Sequence, residues 1–269
     1  MYLADYHTHS RVSPDSKATM VAQVEAAIAA GLHELCFTDH FEPFYWDDIT
    51  VPRDTDDWGA LIAEFSTVQR QYVDKITLRL GIELGEAPMD IPTVEKMLQK
   101  APNLDFVIGS IHRLSKAYDY MDWAEYRPKT AAEASAAIGD YLQVVQTQCN
   151  WGGFHVLGHL TLPLRYCKYL GLDVPFAPFH DQVVGIYKTL IDKGLGIELN
   201  TTRGDMNCPD EPWLKLYHDM GGRRITLGSD AHQPKDMGAG IREGQALIKR
   251  LGFTYFSTFE QGKEIRHPL

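Results

Sequence analysis

Histidines and carboxylates recur along this chain in short clusters: Asp5-Tyr6-His7-Thr8-His9-Ser10, Thr38-Asp39-His40, Gly81-Ile82-Glu83, Ser110-Ile111-His112, Gly158-His159-Leu160 and Gly228-Ser229-Asp230-Ala231-His232. Each follows a short apolar run. His7 and His9 are two residues apart on one extended segment, so their side chains share a face and both imidazoles can reach one cation. Such a pair alone says little. Six of the eleven histidines, together with Glu83 and Asp230, directly follow apolar runs, and side chains at the ends of successive strands can converge on one point. A convergent set of His, Asp and Glu is a metal site. Imidazole mixed with carboxylate suits zinc, manganese or iron, whereas magnesium and calcium prefer an all-oxygen shell. The nine candidates His7, His9, Asp15, His40, Glu83, His112, His159, Asp230 and His232 exceed the needs of one ion; they could satisfy two, or three if a carboxylate bridges. Asp15 has an alternative use as N-terminal cap of the following helix.

The elements that must position these groups alternate. Strands are expected at Leu3–Tyr6, Glu34–Thr38, Thr77–Ile82, Asp105–Ile108, Phe154–Leu157, Gly196–Leu199 and Arg224–Leu227. Helices are expected at Thr19–Ala30, Trp58–Tyr72, Thr93–Lys100, Ala131–Gln148, Pro178–Lys193, Glu211–Met220 and Ala239–Leu251, with a last extended piece at Tyr255–Phe259. Short apolar strands separated by helices form parallel β-α-β units. Seven such units without a linker predict an α/β fold, a closed or nearly closed (β/α)7 barrel spanning 1–269 as a single domain. Two longer loops, Phe41–Asp57 and Arg113–Lys129, follow ligand-bearing strands and carry aromatic and charged residues, a common place for specificity.

Hydrophobic residues make up 44% and charged residues 23%, ordinary for a soluble globular protein. The net charge of −10 and the lack of a Lys/Arg-rich run argue against nucleic acid as a partner. Cys36, Cys149, Cys167 and Cys208 lack C-x-x-C spacing, so neither a disulfide framework nor a zinc ribbon is expected. No signal-peptide pattern and no membrane-length apolar stretch is present, so a cytoplasmic location without a membrane partner is expected. The oligomeric state is not legible.

The ordered motifs resemble those of the polymerase-and-histidinol-phosphatase (PHP) superfamily over essentially the whole chain. Phe37-Thr38-Asp39-His40-Phe41, Val156-Leu157-Gly158-His159-Leu160 and the ending Glu264-Ile265-Arg266-His267-Pro268-Leu269 resemble its histidinol-phosphatase branch. The resemblance implies a distorted barrel with a trinuclear metal site at the C-terminal ends of the strands. It implies one ion held by His7, His9, Glu83 and Asp230, a second by His112 and His159 with Glu83 bridging, and a third by Asp15, His40 and His232. Many superfamily members have histidine where this chain has Asp15, an exchange of a neutral donor for a harder, anionic one.

Three divalent ions outweigh the three ligand carboxylates, leaving a positive pocket in an acidic protein, which suits a small phosphorylated substrate. Two ions about 3.5–4 Å apart can acidify a bridging water and clamp phosphoryl oxygens. The expected reaction is direct attack of that hydroxide on a phosphate monoester, L-histidinol phosphate being the leading candidate. Asp230 or His232 could assist proton transfer to the leaving oxygen. Arg203 and Arg165 are the expected phosphate-binding side chains, because the guanidinium fork matches phosphate geometry; Arg113 and Lys116 are weaker choices. The aromatic and acidic stretch Phe41–Asp48 could hold a cationic head group. The alternatives are a phosphoesterase for another small phosphate ester or nucleotide, a non-catalytic metal-binding barrel, and an amidohydrolase-type hydrolase. The last would usually need a bridging lysine where this chain has Glu83.

Overall fold

A computed structural model describes residues 1–54, 56 and 58–269. Seven parallel strands lie in chain order: β1 (Ala4–Asp5), β2 (Glu34–Phe37), β3 (Thr77–Gly85), β4 (Phe106–Ser110), β5 (Val156–Leu157), β6 (Gly196–Asn200) and β7 (Ile225–Gly228). Registers such as Asp5↔Leu35, Leu35↔Leu78, Glu83↔Ile108 and Leu227↔Leu199 tie neighbours. The first and last strands meet through Tyr6 N–H to Leu227 O (2.9 Å), Asp230 N–H to His7 O (2.8 Å) and His9 N–H to Ala231 O (2.9 Å). These bonds nearly close the expected barrel, and they do so at the segments that carry His7, His9 and Asp230.

Helices Met20–Ala29, Gly59–Tyr72, Ile91–Gln99, Ala131–Trp151, His180–Asp192, Glu211–Asp219 and Ile241–Arg250 match the expected ones, with ends displaced by at most three residues. Local chemistry sets several starts. Thr19 Oγ1 accepts from Ala22 N–H (3.2 Å), Asp90 Oδ1 from Thr93 N–H (3.1 Å) and Thr130 Oγ1 from Glu133 N–H (3.2 Å), satisfying backbone donors that a helix start leaves open. Thr19, and not Asp15, therefore caps the first helix.

Three differences matter. Helix Leu162–Tyr169 was not among the expected elements; its Pro163 falls in the first turn, where a missing N–H costs nothing. The Phe41–Asp57 loop contains a bridge of His40–Phe41 to β3 and a hairpin, Phe44–Tyr45 with Asp48–Pro52; residues 55 and 57 of that expected loop lie outside the described residues. Tyr255–Phe259 is half of a second hairpin, Tyr255–Glu260 with Lys263–Pro268. Its Phe256 and Phe259 are about 1% exposed; Phe259 packs on Phe106 and its carbonyl accepts from Tyr6 OH, while Phe256 stacks on His267, so the hairpin covers the N-terminal end of the barrel. Burial of each ring is worth about 2 kcal/mol, enough for this segment to matter to stability.

Candidate metal centre

The alternation of β1 and its extension explains the opening pair. Thr8 turns toward β2, its Oγ1 donating to Cys36 O (2.9 Å) while its N–H reaches Thr38 Oγ1 (3.0 Å). His7 and His9 therefore face the barrel axis together, with ring centroids 5.1 Å apart and both side chains buried. β3 runs three residues past Ile82, so Glu83 lies within a strand and not after it as expected. That places its carboxylate near the axis, 3.2 Å from His7 Nε2, 3.5 Å from His9 Nε2, 3.2 Å from His40 Nδ1, 3.1 Å from His112 Nε2 and 2.8 Å from His159 Nε2.

The structure brings all nine expected side chains together. Four overlapping groups have donor atoms within 4.8 Å of one another: His7, His9 and Asp230; His7, Glu83 and His159; His40, Glu83 and His112; His9, Asp15, His40 and His232. The groups overlap more than the division implied by resemblance: His7, His9, His40 and Glu83 each belong to two of them, and His112 and His159 fall in different ones. His40 stands between two groups, its Nδ1 toward Glu83 and its Nε2 3.6 Å from Asp15 Oδ2. Asp15, 2.9 Å from His232 Nε2, is the most solvent-accessible of the set.

Hydrogen bonding supports a fit to metal. His7 Nε2 and His9 Nε2 are buried without a hydrogen-bond partner, although buried polar atoms are normally satisfied. Each lies instead among carboxylates, while the opposite nitrogen is held: His7 Nδ1 by Glu198 (2.7 Å) and His9 Nδ1 by Ser13 Oγ (3.0 Å). Burial pushes the His9 pKa well below the ordinary imidazole value, with His232, His40 and His7 adding to it, so a lone pair is available. Burial raises the Glu83 carboxyl, but His7, His40 and His112 outweigh this and hold it well below the carboxylate range, as a ligand requires.

Asp230 reaches the site through a backbone with φ of 60°, in the left-handed region that Asp tolerates better than most residues. Burial raises its carboxyl, yet Arg165, His7, His232 and His9 together hold it well below its ordinary value. An acid so firmly ionised suits a ligand. Burial lowers the His232 pKa, but Asp15 and Asp230 raise it overall.

A cavity of about 440 Å³ opens over these ligands. Arg165 and Arg203 both line it, in different ways. Arg165 is not at the rim as expected: the unforeseen helix carries it inward, 7% exposed, with Nη1 donating to Asp230 Oδ2 at 2.6 Å. Arg203 is exposed, on a left-handed turn (φ 56°) whose N–H bonds Ser229 O, next to Asp230. Arg113 instead ties two loops by donating to Trp46 O and Tyr120 O, and Lys116 borders a separate cavity. In the aromatic stretch only Trp46 lines the ligand cavity; Asp47 and Asp48 are exposed away from it, so they do not supply the expected carboxylates. Besides the ligand carboxylates, the cavity wall carries Asp122, from the second long loop: it is 5% exposed, with Oδ1 accepting from Ala124 N–H at 2.7 Å and Oδ2 without a partner.

Residue types alone did not reveal the groups behind the ligands. Asp39 accepts from Ser10 and Ser13, and Glu86 from the His112 and Arg113 N–H groups. Glu198 did have a signal. The tetrapeptide Gly-Ile-Glu-Leu occurs twice, at 81–84 and 196–199, and puts a glutamate at the axis from β3 and again from β6.

Comparison with known proteins agrees with this geometry. The PHP domain model matches residues 5–202. The histidinol-phosphatase of Lactococcus lactis is 31% identical over 260 residues, covering 95% of this chain and 93% of that one. A probable histidinol-phosphatase of Deinococcus radiodurans is 30% identical over 93% of this chain and 94% of its own length. The crystal structure of the Lactococcus lactis histidinol phosphate phosphatase, complexed with zinc, L-histidinol and phosphate, superimposes with a TM-score of 0.77 at 27% identity, covering 98% of each chain.

Proposed function

Since the chain belongs to the PHP domain family, we propose that it is a metal-dependent phosphomonoesterase that hydrolyses L-histidinol phosphate to L-histidinol and phosphate, a step of histidine biosynthesis. One observation carries the reading: a ring of six imidazoles and three carboxylates, buried except at Asp15 and His232 and with unpaired nitrogens, opens into the same cavity as two arginines. His7, His9, Asp15, His40, Glu83, His112, His159, Asp230 and His232 would hold two to three divalent ions, with zinc, manganese and iron matching the donor set. Such ions acidify water and neutralise phosphoryl oxygens.

The remaining roles belong to the chain. Arg203, exposed at the cavity, offers its guanidinium to the phosphate, and Arg165 fixes Asp230 from below while adding positive charge to the same wall. Asp122 and the face of Trp46 suit a substrate whose leaving alcohol is cationic and aromatic, because an anionic wall beside a phosphate site helps only when the ester carries a compensating positive charge. Relatives named for histidinol phosphate over nearly their full length support this substrate above other phosphate esters.

The test is phosphate release by the zinc- or manganese-loaded protein from L-histidinol phosphate, a nucleoside monophosphate and an aryl phosphate. A kcat/KM for histidinol phosphate at least about a hundredfold above the aryl ester is expected, since several polar contacts to the leaving group are at stake. Equal values would leave a general phosphoesterase.

A further inference from the structure

Glu198 is a buried acid beside the metal centre that belongs to none of its ligand groups. It is 1% exposed on β6. Its two oxygens go to two different strand ends: Oε1 lies 2.7 Å from His7 Nδ1, and Oε2 accepts from the backbone N–H of His159 at 2.9 Å. Asn200 Nδ2, on the same face of β6, stands 3.5 and 3.4 Å from these oxygens and 3.4 Å from His7 Nδ1. Two glycines leave the space. A Cβ on Gly228 would sit 2.3 Å from both Glu198 Oε1 and His7 Cβ, and one on Gly158 would meet Ser110 Oγ at 2.6 Å and Glu198 Oε2 at 3.6 Å. A buried carboxylate is costly to keep unless its oxygens are bonded, and here each oxygen is used on a residue of the metal centre.

We infer that Glu198 is a positioning residue that fixes two residues of the metal centre at once, His7 through its ring Nδ1 and His159 through its backbone N–H. The inference rests on the reading of both histidines as ligands. With Oε1 accepting from Nδ1–H, His7 keeps its proton on that nitrogen and presents the Nε2 lone pair to the axis, where Nε2 has no other hydrogen-bond partner. Through Oε2 the same carboxylate sets the backbone at His159, whose Nε2 lies 2.8 Å from Glu83. A shift of this one side chain therefore moves His7 and His159 together, and β6, which supplies none of the nine ligands, takes part in the centre through Glu198.

Glu198→Gln tests this with almost no change of volume. A carboxamide has one accepting and one donating end, so it can serve His7 Nδ1–H or the His159 N–H but not both. Metal content after dialysis against a competing chelator, divalent-ion titration, and thermal unfolding of the metal-free protein are compared with wild type. The expected result is an affinity about 10–100-fold weaker, with fewer ions retained and little change in metal-free unfolding. In the zinc-loaded protein, long-range proton–nitrogen NMR should show a protonated His7 Nδ1 in wild type and a weakened, faster-exchanging proton in the variant. Should Glu198→Gln be too unstable to purify, Asn200→Ala, which removes only the weaker contact, should show the same loss of ions on a smaller scale. Wild-type retention and affinity in a folded Glu198→Gln protein would overturn the positioning role alone. A wild-type protein that binds no divalent ions would overturn the metal reading and this inference with it.

Discussion

The two ends of the barrel treat buried polar groups in opposite ways. At the N-terminal end, Glu34 is fully engaged: it accepts from Tyr2 OH (2.7 Å), Tyr6 OH and Arg79 Nε (3.0 Å), and Arg79 continues to Glu260 (2.7 Å). At the C-terminal end, His7 Nε2, His9 Nε2, His40 Nδ1 and Asp122 Oδ2 are buried without hydrogen-bond partners. The first arrangement closes a network, which is how a fold keeps a buried charge without losing stability. The second leaves atoms converging on points that the protein itself does not fill, an arrangement that costs stability and persists where a ligand is to be held. Function and stability are thus separated along one set of strands, and substitutions at the two ends should fail in different ways.

The largest effect is expected at Glu83, whose carboxylate stands between five imidazoles. Glu83→Gln should lower kcat/KM by about a thousandfold or more and release bound ions, as read by elemental analysis, while unfolding of the metal-free protein changes little. A variant that kept its ions and lost stability instead would erase the contrast between the ends. Glu34→Gln should do the reverse. Arg79 loses its buried counter-charge, so chemical denaturation should show a loss of about 3 kcal/mol, with metal content and kcat/KM retained.

An effect of similar size, seen only on acidification and equally confined to the N-terminal end, concerns His155. Its Nδ1 accepts from Val107 N–H (2.9 Å) beside Phe106 and Phe259. Burial, with Arg224 adding, pushes its pKa down from 6.5 to about 4. Because the unfolded chain takes up the proton first, the stability tied to neutral His155 is complete above the unfolded value of 6.5 and drains away as pH falls toward the folded value of about 4. Between about pH 7 and pH 4 the wild type should lose about 3 kcal/mol more than His155→Gln, measured by denaturant unfolding at both values. Parallel acid sensitivity in the two proteins would remove His155 from the account.

Much of this was legible in residue order. The strand–helix alternation stands at every expected position, and all nine proposed ligands meet, because a ligand placed at the end of each strand of a parallel barrel must face the axis or its rim. What escaped the sequence depended on direction. The helix that turns Arg165 inward was not among the expected elements; it opens on Pro163, and a proline stops a helix in its middle but not in its first turn. Asp47 and Asp48 had the right chemistry on the wrong side of a hairpin, while Asp122 had no motif at all. The repeated Gly-Ile-Glu-Leu was visible, yet nothing in the tetrapeptide distinguishes a glutamate that faces ions from one that faces the back of a histidine.

The sequence by itself determined the periodicity, the barrel and the inventory of donors, because these follow from local alternation and from which residue types can bind a cation. The tertiary structure alone decided the assignments: which nitrogen of His7 is held and which is left free, which carboxylate stands among the imidazoles, and which borders the cavity. Those choices depend on distances of a few ångströms between strands far apart in the chain, such as β1, β3 and β6, and no spacing along the sequence encodes them.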